Sequence, residues 1–170
     1  ISRPHGLILV TGPTGSGKTT TLYAALTQLN QPEKKIITAE DPIEYRLPRV
    51  NQVQVNPKVG LEFPTVLRAA LRQDPDIVLV GEMRDQITAE IGLRAAMTGD
   101  MVLSTLHTND AATTMPRLEE MKVSPYFITT AINVIIAQRL VRQLCSKCRV
   151  SYQKTPDELK QIIDHPELGD

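Results

Sequence analysis

Leu7-Ile8-Leu9-Val10-Thr11, then Gly12-Pro13-Thr14-Gly15-Ser16-Gly17-Lys18-Thr19, then Thr20-Thr21-Leu22-Tyr23-Ala24-Ala25-Leu26, read in order, are an apolar strand, a Gly-rich loop and a helix. The loop fits G-x-x-x-x-G-K-[ST]. In that spacing backbone N–H groups cradle phosphates, the lysine reaches the β/γ-phosphates and the hydroxyl ligates Mg²⁺. The helix adds its positive N-terminal end to the same anion site. Gly12, Pro13, Thr14, Gly15, Ser16, Gly17, Lys18, Thr19 and Thr20 are therefore candidate binders of a nucleoside triphosphate, with Lys18 also a candidate catalytic group and Thr19 the candidate Mg²⁺ ligand. An accidental Gly-rich turn would match the spacing without the strand before it and the helix after it.

The 170 residues suit one domain with a real core and a short appendage. Apolar residues at 41% and charged residues at 22% are ordinary for a globular chain, and a formal net charge of zero offers no electrostatic footprint for nucleic acid. No apolar run has the length to cross a bilayer and the first residues lack a signal-peptide pattern, so a cytoplasmic chain without direct membrane insertion is expected. The sequence begins at Ile1 with little before the first strand, and reads as a piece whose N-terminal neighbour is missing.

Further strands are expected over 35–39, 77–80 and 101–105, and helices over 63–73, 88–97, 111–121 and 127–138. Alternation over 44–55 reads as a β-hairpin, and Leu140, Val141 and Leu144 read as continued apolar packing. Thr155-Pro156-Asp157-Glu158 opens a last helix with a capping box, ending before His165-Pro166. The fold class is α/β, a mostly parallel central sheet flanked by helices, with the hairpin and a helical C-terminal part. The ATPase-like core is expected at 1–144 and a Cys-containing appendage at 145–170.

Ligands of open α/β sheets collect beyond the carboxyl ends of the strands. Glu40, Asp41 and Glu44 follow the strand at 35–39, where a solvated acidic turn is the plain alternative. Glu82 follows 77–80, where a carboxylate beside a bound triphosphate can deprotonate water. His107 follows 101–105, placed to donate a hydrogen bond to a phosphate or a water, although a lone histidine is more often structural. Cys145-Ser146-Lys147-Cys148 is half of a zinc site. Structural Zn²⁺ wants four ligands, so the pair is either part of a larger metal site or two reduced thiols.

Taken together, the order of motifs resembles the bacterial type II secretion and type IV pilus assembly ATPases, a resemblance running from Pro4 to Arg149. The Walker A loop is Gly12 to Thr19. The Asp box resembles Ile37-Thr38-Ala39-Glu40-Asp41-Pro42-Ile43-Glu44, and a Walker B with glycine before the glutamate resembles Leu79-Val80-Gly81-Glu82-Met83-Arg84-Asp85. The His box resembles Thr98-Gly99-Asp100 through Ser104-Thr105-Leu106-His107-Thr108-Asn109-Asp110.

The resemblance implies a RecA-like P-loop fold and a homohexameric motor that hydrolyses ATP with Mg²⁺. It implies Glu82 as general base, His107 as nucleotide sensor, Glu40 and Glu44 as catalytic acids orienting metal or water, and Arg139 of Ala137-Gln138-Arg139-Leu140-Val141 as a residue near nucleotide. Extension-type members carry a second Cys pair beyond the first, so Zn²⁺ on Cys145 and Cys148 is expected only in a longer chain. The implied partners are an inner-membrane platform protein and other assembly components, with the motor peripheral to the inner membrane. A non-catalytic, nucleotide-dependent interaction module of the same machine is the alternative, against which intact Lys18, Thr19 and Glu82 argue. No N-K-x-D motif supports a GTPase.

Overall fold

The computed structural model describes residues 4–163, with side chains to residue 160. The elements run β1 (Gly6–Thr11), α1 (Lys18–Leu29), β2 (Ile36–Glu40), β3 (Asn51–Gln54), α2 (Phe63–Leu71), β4 (Ile77–Val80), α3 (Gln86–Thr98), β5 (Met101–Leu106), α4 (Thr114–Glu120), α5 (Pro125–Ala131), β6 (Ile132–Ala137) and α6 (Pro156–Ile163). The strands form one sheet in the order β3-β2-β4-β5-β1-β6, every pairing parallel.

Alternation along the central strands sends side chains to two cores. Leu7, Leu9, Val78, Val80 and Val102 meet Phe63, Leu67, Ala89, Leu93, Leu118 and Ile128 of α2, α3, α4 and α5 on one face. Val10, Ile36, Ile77, Leu79, Met101 and Leu103 meet Leu22, Tyr23 and Leu26 of α1 on the other. Strands covered on both sides need apolar residues at every position, which is why 77–80 reads as an unbroken Ile-Val-Leu-Val. At roughly 1.5–3 kcal/mol per fully buried large aliphatic chain, these two layers are the main source of the sheet's stability. The α/β parallel-sheet expectation is met.

Two local expectations are overturned. The hairpin over 44–55 is not formed: β3 runs parallel to β2, Ile37 opposite Asn51 and Glu40 opposite Gln54, so it is an edge strand of the main sheet. Residues 41–50 are an irregular connection held by the Gln52 side chain, whose Oε1 accepts from Leu47 N–H and whose Nε2 donates to Tyr45 O. The helix over 127–138 is likewise not formed as read. α5 stops at Ala131 and Ile132–Ala137 is strand β6, beside β1. Ile132, Val134, Ile135 and Ile136 are β-branched and lose rotamer freedom in a helix, whereas the free side of β1 offers a full ladder of backbone partners.

Helix α4 starts at Thr114 rather than at Ala111, with Asp110 Oδ1 accepting from Thr113 N–H at 2.7 Å ahead of it. Two compact units divide between Leu140 and Val141, ahead of the expected boundary between Leu144 and Cys145. Leu140, Val141 and Leu144 are exposed, contrary to the packing expected of them. Within the second unit the capping box at α6 is formed: Thr155 N–H donates to Glu158 Oε2 at 2.9 Å and Glu158 N–H to Thr155 Oγ1 at 3.4 Å. The end of α6 before His165 lies outside the described residues. No helix among the described residues is long and apolar enough to cross a membrane.

Candidate active site

The sheet brings the carboxyl ends of β1, β2, β4 and β5 side by side, and the loops that leave them enclose a cavity of about 750 Å³. Its floor is the Gly-rich loop. Gly17 caps α1 in the left-handed region at φ 87°, which turns the chain from loop to helix without a side chain in the way. Lys18 opens the helix and is almost fully buried, its Nζ donating to Gly12 O at 2.8 Å and Pro13 O at 3.0 Å. Burial holds its ammonium below the ordinary lysine pKa. Thr14, Gly15, Gly17, Lys18, Thr19 and Thr20 line the cavity, whereas Gly12, Pro13 and Ser16 of the same loop do not.

The walls carry the acids. Glu82 and Arg84 follow β4, Asp41 and Glu44 follow β2, and Thr105 and His107 stand at the end of β5. Arg84 donates to both Glu82 oxygens, through Nε to Oε1 and through a terminal nitrogen to Oε2 at 3.0 Å, and its other terminal nitrogen lies 3.6 Å from Asp41 Oδ2. His107 Nε2 is 3.5 Å from Glu82 Oε2. Burial, with the Lys18 and Arg84 charges, holds the imidazole below its ordinary pKa, so it is neutral at pH 7. Thr105 Oγ1 donates to Gly81 O at 2.7 Å, tying β5 to the turn that presents Glu82. Gly81 itself packs backbone to backbone, a Cβ there standing 3.2 Å from Ala39 O.

Glu40 differs from its acidic neighbours. It is 2% exposed, and its carboxylate accepts from Tyr23 Oη, from Thr38 Oγ1 and from Gln52 Nε2 at 3.1 Å. Burial and Glu40 push the Tyr23 hydroxyl pKa well up, so that it stays a donor. Glu40 therefore ties helix α1, strand β2 and edge strand β3 together at the cavity wall, which it helps to line.

Arg139 is exposed, donates to Asn109 O at 3.0 Å and does not line the cavity. Its neighbour Gln138 is the residue that sequence reasoning missed. Gln138 N–H donates to Thr11 O at 2.9 Å, Nε2 donates to Ser16 O at 2.7 Å, and Oε1 accepts from Thr21 Oγ1 at 2.7 Å. Reading 132–137 as a β-branched strand would have placed Gln138 at a carboxyl end like the other site residues.

Thr19 carries a hydroxyl into a cavity that also presents Asp41, Glu44 and Glu82, oxygen donors of the kind Mg²⁺ takes, although no three carboxylates among the described residues converge into a ready metal cage. Zinc does not fit in the same way. Cys145 and Cys148 are exposed thiols, and no cluster of three or more metal-ligating side chains exists among the described residues.

Comparison with known proteins agrees with this geometry. The model of the type II/IV secretion system protein family matches residues 1–166. Type II secretion system protein E of Dickeya dadantii is 56% identical over 95% of this chain and 32% of its own length. The type IV pilus assembly ATPase PilB of Myxococcus xanthus is 57% identical over 88% of this chain and 26% of its own. The chain thus spans about a third or less of the length of these relatives. Among solved structures, the pilus retraction motor PilT with bound ADP superposes with a TM-score of 0.73 at 45% identity, covering 82% of this chain and 43% of that one. The ATPase DotB of Legionella pneumophila gives 0.70 at 33% identity, covering 82% of this chain and 42% of that one. With its parallel sheet, phosphate loop and acidic strand ends in one place, the chain belongs to the type II/IV secretion system protein family and has the P-loop ATPase fold.

Proposed function

We propose that this chain is the ATP-hydrolysing part of a motor that assembles a type IV pilus or a type II secretion pseudopilus. The observation that carries the reading is the convergence of Lys18, Thr19, Glu82 and His107 on one cavity large enough for a nucleotide. Lys18, already almost fully buried, exchanges its two loop carbonyls for phosphate oxygens at little desolvation cost. Thr19 would hold Mg²⁺ through its hydroxyl, with Asp41, Glu44 and Glu82 as the nearby carboxylates. The metal, when bound, neutralises charge on the phosphates.

Glu82 takes a proton from the attacking water, and Arg84 holds its carboxylate in position meanwhile. Neutral His107 supplies an N–H that reports on the outermost phosphate without adding charge. Glu44 orients metal or water from the cavity wall, and Glu40 acts through the wall it anchors. Catalysis on this reading is positioning and electrostatics. Thr20 supports phosphate binding at the first turn of α1, and Arg139 steadies the loop after His107 through Asn109.

The work is done as a homohexamer in the cytoplasm, against an inner-membrane platform protein, as the motif order supports; the relatives' names support only the secretion and pilus-assembly setting. Cys145 and Cys148 serve zinc only with ligands from a longer chain. Phosphate release by the complete natural chain, against its Lys18→Ala variant, tests the reading. ATP-dependent release abolished by the substitution supports it. No release from the wild type under oligomer-forming conditions would refute it.

A further inference from the structure

We propose that Gln138 is a positioning residue for nucleotide binding, a side-chain clamp by which strand β6 sets the orientation of the Ser16–Gly17 peptide in the phosphate loop. This rests on the nucleotide-binding reading above.

The geometry is specific. The Gln138 backbone N–H continues the β1–β6 ladder onto Thr11 O at 2.9 Å, which fixes where the side chain starts. Nε2 then donates to Ser16 O at 2.7 Å and Oε1 accepts from Thr21 Oγ1 at 2.7 Å. A carbonyl oxygen can only accept, so Ser16 O dictates which end of the amide is nitrogen, and the Thr21 hydroxyl fits the other end. The amide thus spans from the loop to the second turn of the helix that follows it.

In a planar trans peptide the C=O and the next N–H point opposite ways. Holding Ser16 O against Gln138 therefore aims the Gly17 N–H away from β6, and Gly17 lines the cavity. Without the clamp the Ser16–Gly17 peptide is free to rotate, because Gly17 at φ 87° has no Cβ to restrict it. The loop would then have to be ordered at the moment of binding, and that cost appears as lost affinity. Gly12 completes the fit: a Cβ there would overlap the Gln138 carbonyl oxygen, so the loop and the end of β6 can approach this closely only with glycine.

The test uses the complete natural chain with Gln138→Leu, which roughly keeps the volume and removes both hydrogen bonds of the side-chain amide, and Thr21→Val, which removes one anchor. ADP titration, steady-state ATP kinetics and thermal unfolding are measured on each. Gln138→Leu should weaken ADP binding about fivefold to tenfold, Thr21→Val less, with KM changing more than kcat. A purely structural role would lower the unfolding temperature and leave the dissociation constant alone, and that outcome would overturn the proposal. Should Gln138→Leu fail to fold, Thr21→Val decides, and unaltered ADP affinity in it is a refutation. Absence of ADP binding by the wild type would refute the nucleotide reading itself, whereas equal binding by wild type and variants would refute only the clamp.

Discussion

The imidazole of His107 faces the carboxylate of Glu82, Nε2 to Oε2 at 3.5 Å, across the gap between the ends of β5 and β4. Despite that carboxylate, His107 is held below its ordinary pKa, by burial first and then by Lys18 and Arg84. The unfolded chain therefore takes up this proton first. Stability is fully present above about pH 6.5 and is lost as pH falls from there towards the lower folded value. His107→Gln should flatten that part of the pH–stability curve, measured by urea unfolding between pH 7 and pH 5. The imidazole is half exposed, so the effect is modest, and an unaltered slope contradicts the assignment.

Tyr23→Phe should destabilise the chain by about 1–3 kcal/mol, because a buried carboxylate oxygen of Glu40 loses its donor. Chemical denaturation checks this. A loss well below that range would mean that water reaches Glu40 and that it is not the buried anchor described above.

Gly12→Ala should cost more than a surface change does. The position has φ 140°, and the added methyl would overlap the Gln138 carbonyl oxygen, which is backbone and cannot swing away, besides crowding Ser16 Oγ at 2.8 Å. Strain of about 1–3 kcal/mol is expected from the backbone conformation alone, with the overlap added to it. Thermal unfolding and ADP titration should both register the change. A variant with wild-type affinity and melting temperature would show that β6 and the loop are not tightly apposed.

These costs also explain how far the structure could be read from the chain. Gly12 to Thr19 was legible because its chemistry is local: consecutive backbone amides, one lysine and one hydroxyl make the site, and the strand before and helix after are strongly patterned. The placement of Glu82 and His107 at the cavity was legible because Ile77–Val80 and Met101–Leu106 are buried along their length and give way to polar residues. β6 was not, since a short apolar run fits helix and strand alike until the free side of β1 decides. The anchoring role of Glu40 was hidden as well. Its partners Tyr23 and Gln52 lie on other elements, and nothing at 40–44 distinguishes the buried acid from the exposed Asp41 and Glu44.

A chain of these 170 residues should carry no stoichiometric zinc after treatment with a chelator. Two exposed thiols fill half of a tetrahedral shell, and the described residues present no third ligand beside them. Elemental analysis of the purified chain decides this. One chelator-resistant zinc per chain would show that the shell is closed by groups not identified above.

The central claim, that the carboxylate after β4 activates water at a nucleotide held by the loop after β1, is tested most directly by Glu82→Gln in the complete natural chain, with ATP binding and phosphate release measured side by side. The substitution keeps the shape and the contacts that hold ground-state nucleotide, and removes a group needed mainly as water attacks. The account predicts near-normal ATP affinity with phosphate release reduced at least about a hundredfold, the scale of a lost general base. Phosphate release equal to wild type would contradict it.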